Sequence, residues 1–326
     1  MKSEILSILK NNKKEFISGE SISDKIGISR AGVWKHISAL RDDGYNIESR
    51  SGKGYKLVTS ADILSYEEIE RYLDTKFVGR DIRYFNCVDS TNRVAKELAA
   101  ELEEGTVITT DQQTRGKGRI DREWISLKSK DICMSVILKP DLEPYKLSKV
   151  TQIGAVAIFE ALENMGIKSE IKWPNDILIK GKKVAGILTE MGAELNRINY
   201  IVMGIGVNVN SEEKDFPVEL QYKASSIKIE EGKYIDRKIL TAHILNEFEK
   251  HYIDFKESGN IKNLVKILNE NSSLIGKEIR VINSHNVRFG KAVEINNDGE
   301  LVVEFKEGIE NIYSGEVSIR GINGYV

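Results

Sequence analysis

The sequence predicts an α+β protein of several domains, and three patterns along its 326 residues lead to this prediction. Residues 1–60 combine helix-forming stretches with capping residues and end in two strand-like runs. Residues 61–271 mix apolar strand-like runs with long amphipathic stretches, without the regular βαβ alternation of a parallel sheet. Residues 272–326 contain only short strand-like runs, so we expect a small β-barrel there.

Composition excludes several classes of protein. Hydrophobic residues make up 40% of the chain, enough for ordinary cores, yet no apolar run approaches the ~20 residues that cross a bilayer. The stretch Met1-Lys2-Ser3-Glu4 lacks the apolar character of a signal peptide, so we expect none. We therefore expect a cytoplasmic protein without a membrane partner.

Cysteine and histidine usage argues against redox and zinc chemistry. The two cysteines, Cys87 and Cys133, lie in apolar, strand-like surroundings, and we expect both to be buried and unreactive. Four histidines are present, and none has the spacing of a metal-ligand cluster. No Ser/His/Asp or Cys/His combination suggests a nucleophilic enzyme.

Three helices are predicted in residues 1–60. The second opens at Ser21 and is broken by Gly27, and the third spans Arg30–Asp42 with Ser29 as its N-cap. The apolar positions assigned to the first helix are Ile5, Leu6, Leu9 and Phe16. In the third helix, Val33, Ile37 and Leu40 form one apolar stripe.

A glycine-rich hairpin follows these helices. Strand-like Ile47–Ser49 and Tyr55–Val58 flank residues 51–54, and the combination predicts a winged helix-turn-helix. Residues 1–59 contain eleven Lys/Arg against seven Asp/Glu, whereas the rest of the chain is net acidic. This asymmetry favours an anionic partner for the N-terminal segment.

Operator DNA is the partner that a winged helix-turn-helix predicts. Arg30 and Ala31 stand at the start of the third helix, where base edges are contacted, and Lys35 lies one turn further on. Lys53 at the tip of the hairpin could meet phosphate or the minor groove. We expect Trp34 to pack on the apolar stripe or at a hinge. The alternative is a helical docking module that binds no nucleic acid.

Residues 113–124 form a glycine-containing segment that is rich in cations. Two glycines and the cations Arg115, Lys117, Arg119 and Arg122 occupy this stretch, which ends at an aromatic residue. Neither the helical nor the strand period is present, so a loop with a mobile backbone is predicted. Such a loop suits a phosphate or an acyl phosphate that must be enclosed after it arrives. The alternative is a solvated basic loop.

Several motifs, in this order along the chain, resemble the catalytic module of biotin protein ligases. Residues 116–124 resemble that family's Gly-Arg-Gly-Arg-x-x-Arg-x-Trp signature, with Lys117 in place of an arginine, while Arg115 replaces a small residue. Residues 29–37 resemble the recognition helix of those ligases that double as repressors. The other matching motifs are Asp89-Ser90-Thr91-Asn92, Lys172-Trp173-Pro174-Asn175-Asp176, Lys183-Val184-Ala185-Gly186-Ile187-Leu188 and Gly204-Ile205-Gly206-Val207-Asn208-Val209-Asn210.

The resemblance implies an architecture and a reaction. It implies a winged helix-turn-helix domain (1–60), a mixed-sheet catalytic domain of the biotin/lipoate ligase type (61–271) and an SH3-like C-terminal domain (272–326). The implied substrates are biotin, ATP with Mg²⁺, and a lysine of a biotin carboxyl carrier protein. Biotinyl-adenylate forms first and then acylates that lysine. Ordering of the basic loop around the adenylate could also complete a homodimer.

Site residues follow from the same resemblance. Lys183, Arg119 and Asp176 are the implied catalytic residues, and Asp176 either orients the incoming amine or holds magnesium. The residues implied for biotin are Ser90, Thr91, Asn92, Gln113, Lys117, Gly118, Arg119 and Lys183. Those implied for the nucleotide are Arg119, Arg122, Trp124, Asn175 and Asn208, with residues 216–227 as a covering segment. Trp124 either stacks on adenine or supports the loop, and Trp173 is expected to be structural.

Two other functions remain open from the sequence. A lipoate or octanoate ligase would share the architecture and the acyl-adenylate chemistry. A biotin-sensing repressor without catalysis would share the N-terminal domain. The basic loop and the Lys-Trp-Pro-Asn-Asp motif favour biotin, and Lys183, Arg119 and Asp176 favour an enzyme.

Overall fold

A computed structural model shows two compact units, residues 1–63 and 64–326. None of the helices described is long and apolar enough to cross a membrane. Asp121 of the basic segment and residues 284–285 of a predicted turn lie outside the described residues. The structure describes every residue except Lys14, Asp121, Leu195, Asn196, Ser284, His285, Glu316, Asn323 and Val326.

The first unit is a winged helix-turn-helix. Its third helix begins at Arg30 and ends at Asp42, as the sequence predicts, whereas Phe16 lies beyond the first helix. The second helix starts two residues before Ser21, because Ser18 rather than Ser21 caps it. The elements are α1 (Lys2–Asn11), α2 (Gly19–Ile26), α3 (Arg30–Asp42), β1 (Asn46–Arg50) and β2 (Gly54–Thr59).

Local chemistry sets the boundaries of α3. The Ser29 hydroxyl accepts a hydrogen bond from Gly32 N at 3.1 Å and caps the helix. Val33, Ile37 and Leu40 are fully buried and form the face that packs on the other helices. On another face, Arg41 donates to the carbonyl of Ile47 at 2.6 Å and so ties the helix to the hairpin.

Gly54 joins the hairpin to the helices of the first unit. It has a φ of 102°, and a side chain there would come within 1.9 Å of the Ile17 carbonyl oxygen. Ile17 and Tyr55 exchange backbone hydrogen bonds of 2.9 and 2.8 Å beside it. Gly54 is therefore required in this turn, because the backbone of Ile17 comes too close to leave room for a side chain.

The second unit is organised around a mixed sheet. Within the described residues its strand order is β3-β4-β7-β11-β10-β9-β8, with β3 and β4 parallel and the other neighbours antiparallel. The strands are β3 (Ile82–Phe85), β4 (Val107–Thr110), β7 (Ile132–Leu138), β8 (Glu170–Lys172), β9 (Asp176–Ile179), β10 (Lys182–Glu194) and β11 (Arg197–Val207). A separate hairpin pairs β5 (Gly116–Lys117) with β6 (Glu123–Trp124).

Helices cover both faces of this sheet. On one face α5 packs against β4, β7 and β11 through a small cluster that includes Val94, Ala95 and Val202. On the other face α6 and α8 pack together over the main core. The helices are α4 (Tyr66–Ile69), α5 (Thr91–Leu98), α6 (Leu147–Asn164), α7 (Ile227–Glu231), α8 (Arg237–Ser258) and α9 (Lys262–Glu270). The apolar spacing of Val94, Leu98 and Leu102 predicts a helix that reaches Leu102, whereas α5 ends at Leu98.

The C-terminal strands form a small SH3-like sheet. Their order is β15-β14-β13-β12-β16, and all neighbours are antiparallel. Ile279, Ala292 and Leu301 belong to the same apolar core as the mixed sheet. The strands are β12 (Glu278–Ile282), β13 (Val287–Ile295), β14 (Leu301–Phe305), β15 (Gly308–Ile312) and β16 (Ser318–Gly321).

A buried tryptophan connects this small sheet to the central domain. Trp173 is 2% exposed, and its Nε1 donates to the Gly299 carbonyl at 2.9 Å. Gln152 of α6 donates to the same carbonyl at 2.7 Å. The predicted structural role of Trp173 is therefore visible as a link between the central and C-terminal parts of the second unit.

Candidate active site and nucleic-acid-binding surface

Two adjoining cavities lie at one end of the mixed sheet. The larger has a volume of about 580 Å³, and the smaller has a volume of about 40 Å³. Gly118, Arg119, Trp124, Asn175 and Lys183 line both, so the basic segment stands between them. This arrangement suits two parts of one ligand, joined where cationic side chains converge.

All the residues expected to contact biotin line the smaller cavity. Thr91 and Asn92 open α5, and Gln113 faces them from the start of the basic segment. The complete predicted set that lines this cavity is Ser90, Thr91, Asn92, Gln113, Lys117, Gly118, Arg119 and Lys183. Segments up to 93 residues apart in sequence therefore meet in one place.

Hydrogen bonds hold the polar groups of this cavity. The Ser135 hydroxyl lies 2.6 Å from Asn92 Oδ1, to which it donates, and 2.7 Å from Thr91 Oγ1. Thr91 N donates to Gln113 Oε1 at 2.8 Å. Ser90 is the N-cap of α5, but its hydroxyl makes no capping hydrogen bond among the described residues.

Ser135 and Glu190 are site residues that the sequence analysis missed. Asn92 Nδ2 donates to Glu190 Oε2 at 2.8 Å, and Lys96 pairs with the other oxygen of that carboxylate at 2.7 Å. Ser135 is fully buried in the otherwise apolar strand β7. A lone hydroxyl within such a strand is the signal that could have identified it.

The two glycines of the Gly204-Ile205-Gly206 stretch allow close approach of side chains to the sheet. A side chain at Gly204 would meet Asn92 Oδ1 at 2.2 Å, and one at Gly206 would meet the Trp124 ring at 2.4 Å. Both contacts are shorter than packed atoms allow. The glycines therefore make room for Asn92 and for the tryptophan of the basic segment.

The residues expected to contact the nucleotide line the larger cavity. Asn175 Nδ2 donates to the Ile187 carbonyl at 2.9 Å, and Asn208 Nδ2 donates to the Ser225 carbonyl at 2.9 Å. Both carboxamides are thus held by the backbone. The predicted set that lines the cavity is Arg119, Arg122, Trp124, Asn175 and Asn208, joined by Phe216, Pro217, Glu219, Leu220 and Ala224 of the predicted covering segment.

Arg119 connects the central and C-terminal parts of the second unit. Its Nη1 donates to Asn175 Oδ1 at 3.0 Å, and its Nη2 donates to the Gly315 carbonyl at 2.7 Å. Burial lowers the pKa of the guanidinium, although Asp176 acts in the opposite direction. Because an arginine remains protonated in proteins, Arg119 places a permanent positive charge between the cavities.

Lys183 and Asp176 form an ion pair at the same point. Lys183 Nζ lies 2.5 Å from Asp176 Oδ1 and 5.5 Å from the centre of the Trp124 ring. Burial alone would raise the pKa of Asp176, but the ammonium groups of Lys183 and Lys172 and two hydrogen bonds hold it below its usual value. The carboxylate therefore stays ionised and holds the Lys183 side chain in place.

Lys172 and Tyr325 complete this cluster, and the sequence analysis assigned neither a role. Lys172 Nζ donates to the Tyr325 carbonyl at 2.6 Å, and the Tyr325 hydroxyl donates to Asp176 Oδ2. Burial lowers the pKa of Lys172 to about 6. Since Tyr325 lies outside every motif, only the fold could bring it here.

The basic segment contains regular structure that the sequence did not predict. Gly116 and Lys117 pair with Trp124 and Glu123 as a short hairpin, while the mobility expected of this segment stays a prediction. The Lys117 and Arg115 side chains are exposed. Of the cations in this segment, Arg119 and Arg122 line the larger cavity.

The prediction of two buried cysteines is wrong for one of them. Cys133 is buried on β7, and burial raises the pKa of its thiol to about 12. Cys87 is exposed, and it lies two residues beyond the end of β3 at Phe85.

One histidine does stand among carboxylates, although the sequence spacing did not predict it. Ligand atoms of Glu160, Glu247 and His251 lie within 4.8 Å of one another between α6 and α8. His251 Nε2 is 2.6 Å from Glu160 Oε2, and Asn164 and Lys250 already bind Glu247. We interpret the cluster as a polar link between the two helices.

The first unit exposes the side chains expected to contact DNA. Arg30, Ala31 and Lys35 are exposed on α3, and Lys53 is exposed in the turn between β1 and β2. Trp34 is 61% exposed, so the expectation that it packs on the apolar stripe is wrong. The stripe at Val33, Ile37 and Leu40 leaves position 34 on the outer face of the helix.

Three sequence profiles match successive parts of the chain. Residues 2–56 match an HTH domain, and residues 84–208 match the Biotin/lipoate A/B protein ligase family. Residues 274–320 match the Biotin protein ligase C terminal domain. The matches follow the same order as the helical unit, the mixed sheet and the SH3-like sheet.

Known proteins share this organisation. The chain is 41% identical to the Bifunctional ligase/repressor BirA of Bacillus subtilis over 98% of both chains, and 28% identical to that of Escherichia coli over 97% of this chain. The structure of a biotin protein ligase from Aquifex aeolicus in complex with biotin and ATP is 29% identical, with a TM-score of 0.66, covering 74% of this chain and 99% of that one. The chain therefore belongs to the biotin protein ligase family, in the group of bifunctional ligase/repressors.

Proposed function

We propose that the chain activates biotin with ATP and transfers it to a lysine of a biotin carboxyl carrier protein. The convergence of Arg119 and Lys183 where the two cavities adjoin carries this proposal. Biotin would lie in the smaller cavity with its carboxylate toward Lys183, and the nucleotide would lie in the larger one. The smaller cavity must widen to admit the ring, and movement of the Trp124 hairpin is the motion that would do so.

The chemistry needs positioning rather than an enzyme nucleophile. A carboxylate oxygen of biotin bonds to the α-phosphorus of ATP, the bond to the bridging oxygen breaks, and pyrophosphate leaves. The lysine amine then attacks the acyl carbon, a proton is lost, and AMP leaves. Both steps build negative charge on oxygens next to Lys183 and Arg119, which would stabilise it.

Asp176 suits an ammonium better than a metal ion. Its Oδ1 is 2.5 Å from Lys183 Nζ, and its Oδ2 accepts from Tyr325. A magnesium ion at this carboxylate would have to displace a lysine that the reaction uses. We therefore assign Asp176 to orienting amines, and the magnesium ion expected with ATP has no assigned ligand in the protein.

The decisive experiment is a transfer assay with the full chain, ATP, labelled biotin and a biotin carrier domain. We expect label on the carrier, and labelled adenylate when the carrier is omitted. Parallel reactions with lipoate and octanoate test the related ligase function. If the carrier is labelled by lipoate or octanoate but not by biotin, the proposed substrate is wrong. If the chain binds biotin but forms no adenylate, it is a non-catalytic repressor.

The first unit supports a second function, biotin-dependent repression of transcription. Arg30, Ala31 and Lys35 form an exposed surface on α3, and Lys53 extends from the hairpin. A winged helix-turn-helix uses these positions for bases and phosphates. We propose that operator DNA binds here and that the adenylate-bound protein is a homodimer in the cytoplasm.

Sedimentation with and without biotinyl-adenylate tests the dimer. Two half-sites on an operator require two recognition helices. The adenylate should therefore shift the monomer–dimer equilibrium toward the dimer and, in the same samples, increase the affinity for DNA. An association constant that is the same with and without the adenylate would contradict the proposed coupling.

A further inference from the structure

Tyr325, in the segment that follows β16, lies inside the catalytic site. Its hydroxyl donates to Asp176, its carbonyl accepts from Lys172 Nζ at 2.6 Å, and it lines the larger cavity. The C-terminal domain match ends at residue 320, so this tyrosine lies outside the matched residues.

Two cations hold the ring of this tyrosine. Lys172 Nζ is 3.3 Å from the ring centre, and the Arg320 guanidinium carbon is 4.6 Å from it. Contacts of cations with an aromatic face are attractive, most of all where water is excluded. The side chain is therefore held by one hydrogen bond and by two cation–π contacts rather than by the hydroxyl alone.

The contact with Asp176 determines where Lys183 lies. Asp176 has two oxygens; Tyr325 binds one of them, and Lys183 binds the other. Burial and the adjacent carboxylate raise the pKa of the phenol, so it remains a hydrogen-bond donor. Without that donor the carboxylate could turn toward Lys172, and the Lys183 ammonium would lose its fixed partner.

We propose that Tyr325 is a positioning residue for adenylate formation, which acts through Asp176 to hold Lys183 between the biotin and nucleotide cavities. The inference rests on the proposed ligase function. It adds the segment after β16 to the catalytic site, although no motif in the sequence marks that segment.

Tyr325→Phe is the direct test because it removes only the hydroxyl. We expect the kcat of adenylate formation, followed by pyrophosphate release from ATP and biotin, to fall about 10- to 100-fold. KM for biotin and for ATP should change by less than about threefold, since positioning within the bound complex is lost. Tyr325→Ala should lower this kcat further, because it also removes the ring that contacts Lys172 and Arg320.

Tyr313→Phe is the matched control, because that tyrosine belongs to the same small domain and is 70% exposed. Its kcat should equal that of the wild type. Thermal melts check the fold of each variant, and kcat is referred to the folded fraction. A purely structural role for Tyr325 would lower the melting temperature and leave this kcat unchanged, which would overturn the inference.

Two further outcomes separate this inference from the proposed function. If the wild-type chain makes adenylate and Tyr325→Phe equals or exceeds its kcat, positioning by Tyr325 is wrong and the ligase function stands. If the wild-type chain makes no adenylate from biotin and ATP, the proposed function fails and this inference fails with it.

Discussion

Lys183 and Asp176 show how the site depends on single side chains. They lie on adjacent antiparallel strands, and the register shift between Lys183 and Ala185 accompanies their 2.5 Å contact. Their neighbours are cationic: Lys172 and Arg119 both interact electrostatically with the same carboxylate. One ionised aspartate thus offsets several positive charges where a phosphate is proposed to bind.

Removal of the Lys183 ammonium should abolish activation but not biotin binding. We expect Lys183→Ala to lower pyrophosphate exchange by about 100- to 1,000-fold, because the charge that develops on phosphate and carboxylate loses its partner. Calorimetry should still detect biotin, since Asn92 and Gln113 remain. Lys182→Ala, whose side chain alternates to the other face of β10, is the control. Near-normal exchange would refute the assignment.

Gly204 should be intolerant of a side chain for a specific reason. A methyl group there meets Asn92 Oδ1 at 2.2 Å, so Gly204→Ala should displace the carboxamide and raise KM for biotin about tenfold. The double-mutant cycle identifies the cause. In an Asn92→Ala background the glycine substitution should add little, and full additivity would show that the clash lies elsewhere.

At the scale of elements, α3 and the β1–β2 hairpin are expected to make different contacts with DNA. Arg41 of α3 donates to the Ile47 carbonyl, so helix and hairpin are fixed relative to each other within the first unit. Arg30 stands in the first turn of the helix and Lys53 at the exposed turn of the hairpin. Base recognition and phosphate contact are therefore expected from different elements.

Variants of these two residues should behave differently. Arg30→Ala should weaken binding to a preferred duplex by about 1–3 kcal/mol and affect a scrambled duplex less. Lys53→Ala should weaken binding to both duplexes similarly, and it should reduce the slope of log affinity against log salt concentration by about one. Binding isotherms at several salt concentrations, on a duplex selected from a random pool, measure both effects. Unchanged affinities in both variants would exclude this surface.

At the scale of the whole molecule, buried polar links hold α8 on the mixed sheet. Glu104, before β4, accepts from Tyr252 of α8 at 2.8 Å and from the backbone of Lys139 at 3.1 Å, and it pairs with Lys256. Burial opposes ionisation, but these partners hold the pKa of Glu104 below its usual value of 4.5. The link should therefore stabilise the fold only while the carboxylate is ionised.

The pH dependence of stability tests this link. A carboxylate with a depressed pKa in the folded state contributes stability above pH 4.5 and loses it as pH falls through the folded value. We expect Glu104→Gln to lower the free energy of unfolding at pH 7 by about 1–3 kcal/mol. The deficit should shrink below pH 4.5. Glu97→Gln, which removes an exposed ion pair, should change the free energy of unfolding little at either pH. If Glu104→Gln lowers the free energy of unfolding equally at both pH values, the proposed link is wrong.

The sequence by itself determined the family, the order of the domains and many of the residues that line both cavities, because capping residues, alternation and short motifs are local signals. The sequence predicts strands at residues 107–110, 132–138, 278–282, 287–295 and 301–305, and β4, β7, β12, β13 and β14 occupy these residues. Phe16, Cys87 and Trp34 were misplaced, because an element's end and an exposed face depend on what packs nearby.

Only the tertiary structure decided which distant groups complete the site. Ser135 of β7 contacts Asn92 of α5, and Tyr325 reaches Asp176 across 149 residues of sequence. The sequence around these two residues does not name their partners. Ser135 meets Asn92 because α5 packs on β7, and Tyr325 meets Asp176 in a unit whose mixed sheet and small C-terminal domain share one core. Local propensity specifies elements, whereas contacts between chain-distant side chains exist only after packing has brought them together.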